Sequence, residues 1–443
     1  MSRILVVGSA PYWAVAGGVK ATAKNQRVWQ LIQPLLADGH EIDLCAEAPD
    51  GIRGVRLPDG LRIHTFDIRR LGWRNEVQRL CQRAKPAVIV ATMWRGAVLS
   101  LCLPKAIPLW ADIYGYSAAE VQLMLNRNRS DRGLLATMAL SRRVLRRVDA
   151  ISACSHRHAD ALVGELGMVG RLNRHTVGYQ FVHSIAPSVA APPPLDPEAG
   201  SSSRGDGGSR SANSEVRLLF YGGYNAWTDT STLLKGVSIA MERCPNLVFV
   251  SVGGGVDGVD TASYTGLLER IASSPFRDRF RMLGWLSSQQ ARDVLVSADI
   301  GISVDSWHYE TLFGTRTRLV DMMANGVPVI TTLGCELSET IRDRMAGLVC
   351  PIGDAGALAD TVTRLYHDVG LRRQLLSNAS ELLRGELSPA ATTVALRQWV
   401  KSPALAPDRM PGAWPTLFKR LDLAARAQAR LMVWDTLGRL ASS

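Results

Sequence analysis

Short apolar runs that alternate with amphipathic stretches set the tightest limit on what this chain can fold into. In the first half the runs are residues 4–7, 42–45, 87–91 and 107–111; in the second they are 218–221, 247–252, 300–304 and 328–331. Most of their residues are apolar, as in strands buried on both faces. Helical patterns stand between them, among them 22–37, 141–148, 229–242 and 288–297. Such alternation predicts parallel sheets covered by helices. It stops once, at APSVAAPPPLDPEAGSSSRGDGGSRSANS (186–214), which is proline-rich, then Gly/Ser-rich, and cannot bury a core. At 443 residues the chain exceeds one ordinary core. The expected organisation is an N-terminal Rossmann-like domain over 1–185, a flexible linker over 186–214, a C-terminal Rossmann-like domain over 215–400 and a helix within 401–443. Ligand is expected in a cleft where strand carboxyl ends of both sheets meet.

Composition narrows the classes. With 47% hydrophobic and 21% charged residues the chain is globular. A net charge of +11 favours anionic company: nucleotides, phosphorylated sugars, nucleic acid or an anionic membrane surface. Nucleic acid is disfavoured, because the basic residues lack interleaved aromatics. The seven cysteines are scattered with no C-x-x-C pair, the pattern of reduced thiols in the cytoplasm. No apolar run reaches the ~18 residues of a spanning helix. MSRILVVGSAPYW enters a strand at once instead of forming a leader.

Several loops carry chemistry. Gly17 and Gly18 follow the first strand and precede a helix, where backbone amides favour anions, and Lys20 adds a charge. In the second half, Gly222, Gly223, Tyr224, Asn225 and Trp227 leave a strand and lead to Asp229, which also suits a helix cap. Gly254 and then Gly284 with Trp285 occupy two further strand-to-helix loops. The segment WHYETLFGTRTRLVDMMANGVPVITT (307–332) crowds a glutamate, a glycine, threonines and two arginines ahead of an amphipathic helix closed by Gly326 and Pro328. His156 and His158, two positions apart on a helix, face apart and gain no further ligands, so they read as surface or phosphate-proximal and no metal site is expected.

This order of motifs, from the early GG loop through GHE, the Gly-rich loop of the second half, LGW-L and SADIGISVD to E-x-x-x-G before DMMANGVPVITT, resembles the retaining nucleotide-sugar glycosyltransferases of the GT4 group. The resemblance implies an α/β GT-B fold, two doubly wound Rossmann-like domains facing across a cleft. It implies that Asp321 binds the nucleotide ribose and Glu310 the donor-sugar hydroxyls, although the two stand eleven apart, wider than the family's spacing. It also implies an Arg and a Lys on the diphosphate, yet their positions fall on Gly223 and about Thr228. A departing diphosphate needs preorganised positive charge. The expected substitute is a clamp of Arg316 and Arg318 with Gly314, Thr315 and Thr317 at a helix amino terminus. The alternative makes one arginine a structural partner of Asp321 or Glu310.

On the acceptor side, Asp112, Tyr114 and Glu120 follow the fourth strand, where the family presents a loop to the reacting carbon; Asp112 also suits a helix cap and Glu120 a solvated helix. No Asp-x-Asp occurs, in keeping with metal-independent transfer. No cofactor is expected beyond a UDP- or GDP-linked sugar as co-substrate. The function so read is sugar transfer to a small-molecule acceptor, as in antibiotic assembly; the alternatives are a membrane-associated transferase of polysaccharide or glycolipid assembly, a GT-B epimerase and a non-catalytic relative. The tail 414–440 is amphipathic and basic, and is expected to cross back to the first domain instead of lying on a membrane.

Overall fold

The computed structural model describes residues 2–15, 22–48, 50–52, 54, 56–193, 214–256 and 260–409. Gly17, Gly18 and Lys20, most of the linker and the tail helix therefore lie outside the described residues. The chain divides into two compact units, one of residues up to 186 together with 389 onward, the other of 187–388.

The first unit contains β1 (Arg3–Ser9), β2 (Glu41–Glu47), β3 (Leu61–Phe66), β4 (Val88–Thr92), β5 (Leu109–Ile113), β6 (Ala150–Ala153) and β7 (Val182–Ser184), in the order β3-β2-β1-β4-β5-β6-β7. All pairs are parallel, with Ile4 opposite both Ile42 and Val88. Residues Ile4 to Val7 are fully buried because helices cover both faces. The order reverses between β1 and β4, the place where a doubly wound sheet opens a crevice.

The second unit repeats the plan with β8 (Val216–Tyr221), β9 (Leu247–Val252), β10 (Phe280–Met282), β11 (Ile300–Ser303), β12 (Val329–Thr332) and β13 (Gly347–Cys350), ordered β10-β9-β8-β11-β12-β13. Its reversal lies between β8 and β11. The helices Thr230–Arg243 and Ala355–His367 pack closely, since a Cβ on Gly236 would stand 2.8 Å from Leu358 Cδ2.

The chain returns to the first unit at Pro389, earlier than the boundary at 401 read from sequence. Helices Pro389–Thr392 and Val394–Lys401 and the turn Pro407–Arg409 thus belong with the first unit. Charge fixes the return. Arg171 donates to Asp408 at 2.6 and 3.0 Å, to the carbonyls of Leu145 and Val148 at 2.5 and 2.9 Å, and lies over the Phe181 ring at 4.6 Å. Asp149 accepts from the amides of Leu109 and Ala406 at 2.8 and 2.7 Å and pairs with Arg409. All seven cysteines are free thiols. No helix among the described residues is long and apolar enough to cross a membrane.

A buried guanidinium stripped of its carboxylate is expensive. Asp408→Ala is expected to cost about 3–5 kcal/mol in unfolding free energy, measured by denaturant melts; a loss under about 1 kcal/mol would mean that the return does not depend on this pair.

Candidate functional site

The carboxyl ends of β8, β9, β10 and β11 gather the glycine loops of the second unit. Gly253 donates its amide to the Gly284 carbonyl at 2.7 Å, and Gly222 donates to Val252 at 2.8 Å. Trp285 Nε1 donates to the Gly255 carbonyl at 2.9 Å. The loops need glycine: Gly222 and Gly253 have φ of 104° and 112°, and a Cβ on Gly253 would lie 2.1 Å from the Gly222 oxygen. Gly223 and Gly254 lie against Trp285, each with a would-be Cβ 3.3 Å from the indole.

Beside this floor, the segment after β11 folds around one arginine. Arg316 donates Nε to Asp305 at 2.6 Å, and Nη1 and Nη2 to the two oxygens of Glu310 at 3.1 and 2.8 Å. Nη1 also reaches the Thr315 carbonyl at 3.1 Å, and the guanidinium lies over Trp227 at 5.4 Å. Arg316, Asp305 and Glu310 are all buried. Burial opposes the Arg316 charge, but the two carboxylates outweigh it and raise its pKa. Burial lifts the Glu310 carboxyl above its ordinary value, with Arg316 opposing. Gly314 is dictated by the same pair: a Cβ there would stand 2.4 Å from Glu310 Oε1.

Arg318 behaves differently. It extends to the first glycine loop, where Nη2 donates to the Gly223 carbonyl at 2.6 Å and the guanidinium stacks on Phe220 at 4.5 Å. Its carbon would be 3.8 Å from a Cβ on Gly222. Nη1 is buried with no partner among the described residues, and so is the Thr315 hydroxyl. Burial pushes the Arg318 pKa down to about 10. The helix Thr317–Ala324 starts here with no side chain capping its first turn. This corner therefore presents an under-paired cation and a buried hydroxyl at a helix start, a pair of donors suited to an anion. One helical turn past Thr317, buried Asp321 lies near Tyr221 at the end of β8, where its charge adds to burial in raising the tyrosine pKa.

The expected clamp is corrected accordingly. Arg316 spends its donors inside the protein and positions Glu310; Arg318 keeps one free. Tyr224, expected at the ligand, is fully buried, stacked on Phe220 at 4.3 Å and bonded to Ser251 Oγ at 2.8 Å. Trp227 packs on Arg316, and Asn225 donates its amide to Thr228 Oγ1 at 3.3 Å. Asp305 was missed; as the first polar residue after an apolar strand it was indistinguishable from a helix cap.

The acceptor-side residues lie in the first unit. Asp112 is fully buried, accepting from Arg27 at 2.9 and 2.7 Å and from Ser152 Oγ at 2.6 Å. Neither a reacting group nor a helix cap, it ties the helix Ala23–Ala37 to β5 and β6. The Arg27 guanidinium lies over Tyr114 at 4.5 Å. Glu120, in the first turn of the helix Ser117–Asn128, folds back so closely that a Cβ on Gly115 would sit 2.3 Å from its Oε1. His158 is no surface residue: it is fully buried, its Nδ1 3.5 Å from Cys154 Sγ, and burial pushes its pKa down to about 4. No group of three His, Cys, Asp or Glu among the described residues has the arrangement of a metal site.

Residues 215–368 match the family model described as Glycosyl transferases group 1, and residues 24–179 match the Glycosyl transferase 4-like domain. The chain is 30% identical over 124 residues to the lipopolysaccharide core biosynthesis glycosyltransferase LpsE of Rhizobium meliloti, covering 28% of this chain and 34% of that protein. It is 27% identical over 168 residues to a phosphatidyl-myo-inositol mannosyltransferase of Mycobacterium leprae, covering 38% and 41%. It thus spans about a third to two-fifths of the length of the curated relatives it matches. In fold it is similar to Anabaena HepE in complex with UDP and glucose, with a TM-score of 0.61 at 12% identity over 91% of this chain and 100% of that one.

Two outcomes follow from the buried charges. Arg316→Ala orphans two carboxylates and is expected to lose about 3–5 kcal/mol of stability together with activity; unchanged melting would deny it the positioning role. His158 is neutral when folded, while the unfolded chain titrates near the ordinary 6.5. Its contribution is complete above pH 6.5 and fades as pH falls toward about 4, by about 3 kcal/mol in all. The difference in unfolding free energy between neutral and acidic buffer should shrink in His158→Phe, and an unaltered difference would refute this.

Proposed function

The chain belongs to the group 1, GT4-like glycosyltransferases and has their GT-B fold of two Rossmann-like domains, and on that premise we propose that it moves a sugar from a nucleoside diphosphate with Arg318 as the diphosphate cation. One observation carries the reading: Arg318 delivers a desolvated, under-paired guanidinium to the Gly222–Gly223 loop, where no basic residue stands in sequence. Binding a diphosphate there returns partners to Nη1 and to the Thr315 hydroxyl, and raises the depressed Arg318 pKa. HepE, of similar fold, was solved with UDP and glucose, which supports a nucleotide-sugar donor, UDP- or GDP-linked.

The remaining residues divide the work. Asp321 takes the ribose. Glu310, held by Arg316, takes sugar hydroxyls with the lone pairs that Arg316 leaves. Transfer proceeds with retention: the bond from the anomeric carbon to the phosphate oxygen breaks, the acceptor oxygen bonds to that carbon on the same face, and its proton passes to the leaving phosphate. Arg318 stabilises the charge on that phosphate as it develops, so no divalent ion is required. The acceptor is a lipid-linked molecule in preference to a small soluble one, a choice supported by the names of the two curated relatives.

Nucleoside diphosphates are expected to raise the melting temperature, with about 2.7 kcal/mol of stabilisation at a hundredfold excess over Kd. Arg318→Met should erase that shift and slow transfer about a hundredfold or more, with little change in melting of the free protein, and the parent rate should persist in a chelator. Full retention of both shift and rate in Arg318→Met would remove the cation from the mechanism; a rate that chelation abolishes would remove metal independence.

A further inference from the structure

The first unit carries a surface that the donor chemistry does not use. The helix Leu134–Arg147 buries Leu140, Val144 and Leu145 in its unit's core. Its outer side nevertheless shows Leu135 at 64% and Met138 at 59% exposure. Positions three, four and seven apart share a helix face, so Leu135, Met138 and Arg142 lie together. Arginines frame the apolar pair: Arg127, Arg129 and Arg132 precede the helix, and Arg142 and Arg143 follow along it. Asp131 is the single acidic residue from 121 to 148. Arg129, Arg132 and Arg143 are exposed.

A second apolar point stands at the same rim. Leu71, 97% exposed, lies in the loop after β3 with Arg70 and Arg74 exposed on either side. The helix Trp73–Ala84 that begins there buries Val77 and Leu80 in the core that also takes Leu140 and Val144. Both helices therefore cover one face of the sheet, and both start at the carboxyl ends of its strands. The loop that leaves β5, with Tyr114, opens on that rim too.

Exposed leucine and methionine side chains flanked by exposed arginines match one kind of environment. At an anionic bilayer surface, arginines meet lipid phosphate while apolar side chains enter the boundary with the acyl chains. A nucleic acid would account for the arginines and leave the apolar residues in water. We propose that this rim, centred on Leu135 and Met138, docks on membranes that carry anionic phospholipid. The proposal deepens the acceptor reading above, since it brings the chain to a lipid-linked acceptor, but its test needs no nucleotide sugar.

The full chain is sedimented with vesicles of phosphatidylcholine alone and with vesicles that also contain phosphatidylglycerol. Binding is expected only with the second, and to weaken as salt rises. Reversing two exposed charges, Arg132→Glu with Arg143→Glu, should lower partition more than about tenfold, at about fivefold per arginine lost. Leu135→Gln with Met138→Gln, and separately Leu71→Gln in its exposed loop, should also weaken binding while the melting temperature holds. Parent protein that stays in the supernatant overturns the proposal. So do folded variants that sediment like the parent, which would move the contact elsewhere in the chain. Equal capture by duplex DNA and by vesicles, unchanged in the Leu135→Gln and Met138→Gln protein, would make the surface a general polyanion site and overturn it as well. Diphosphate-induced stabilisation is read without vesicles, so failure here leaves the transferase assignment standing, and the reverse holds.

Discussion

A guanidinium buried between two carboxylates organises the second unit of this protein. Arg316 joins Asp305 at the end of β11 to Glu310 in the short helix Tyr309–Phe313, and so sets the path of the chain through the turn at Gly314. Three charged groups in a dry interior are tolerable only as a set, because each alone would bear the full cost of leaving water. The set fixes where the helix Thr317–Ala324 begins. That start aims Arg318, two residues past Arg316, at the glycine loop after β8. The under-paired cation is thus a consequence of the fully paired one.

The first unit solves a similar problem in the same way. Asp112 at the end of β5 is satisfied by Arg27 and Ser152, and Arg27 reaches on to Gln30 at 2.9 Å and the Ala186 carbonyl at 3.3 Å. In both units a buried arginine reads the carboxylate at a strand's end and locks the helix or turn beside it. The sequence alone presents these carboxylates as reactive candidates, since acidic residues at strand ends are where chemistry is usually found. Their partners turn them into framework.

What could be read from the sequence follows from how locally each feature is encoded. Strands such as β1 and β9, with unbroken apolar runs at Ile4 to Val7 and Leu247 to Val250, announce themselves, and the glycine loops after them need no tertiary knowledge. By contrast β3, at the sheet edge, buries only Leu61 and Phe66 at its two ends, β10 has three residues, and β6 and β13 have four each, too few for a period to show. The helix Leu134–Arg147 was recognised only in its second half, because exposed Leu135 and Met138 blur the apolar stripe. The crowding of Glu310, Gly314, Arg316 and Arg318 was legible as a site. The division of labour between the two arginines was not, since it rests on Asp305 and Gly223, 11 and 95 positions away from their respective partners. Tyr224 looked like a ligand contact for the same reason: its hydroxyl's companion, Ser251, comes from another strand.

The late return of the chain bears on how the molecule is made. Asp149 and Arg171 emerge from the ribosome long before Arg409 and Asp408, with the whole of the second unit synthesised in between. During translation Asp149 has Arg147 beside it at 3.6 Å, but Arg171 must be held without its carboxylate, which does not yet exist. The amino-terminal lobe is left waiting for the last stitch, so assembly runs from the inside out, and a prematurely terminated product would carry unmatched charge in its core as a ready mark for quality control.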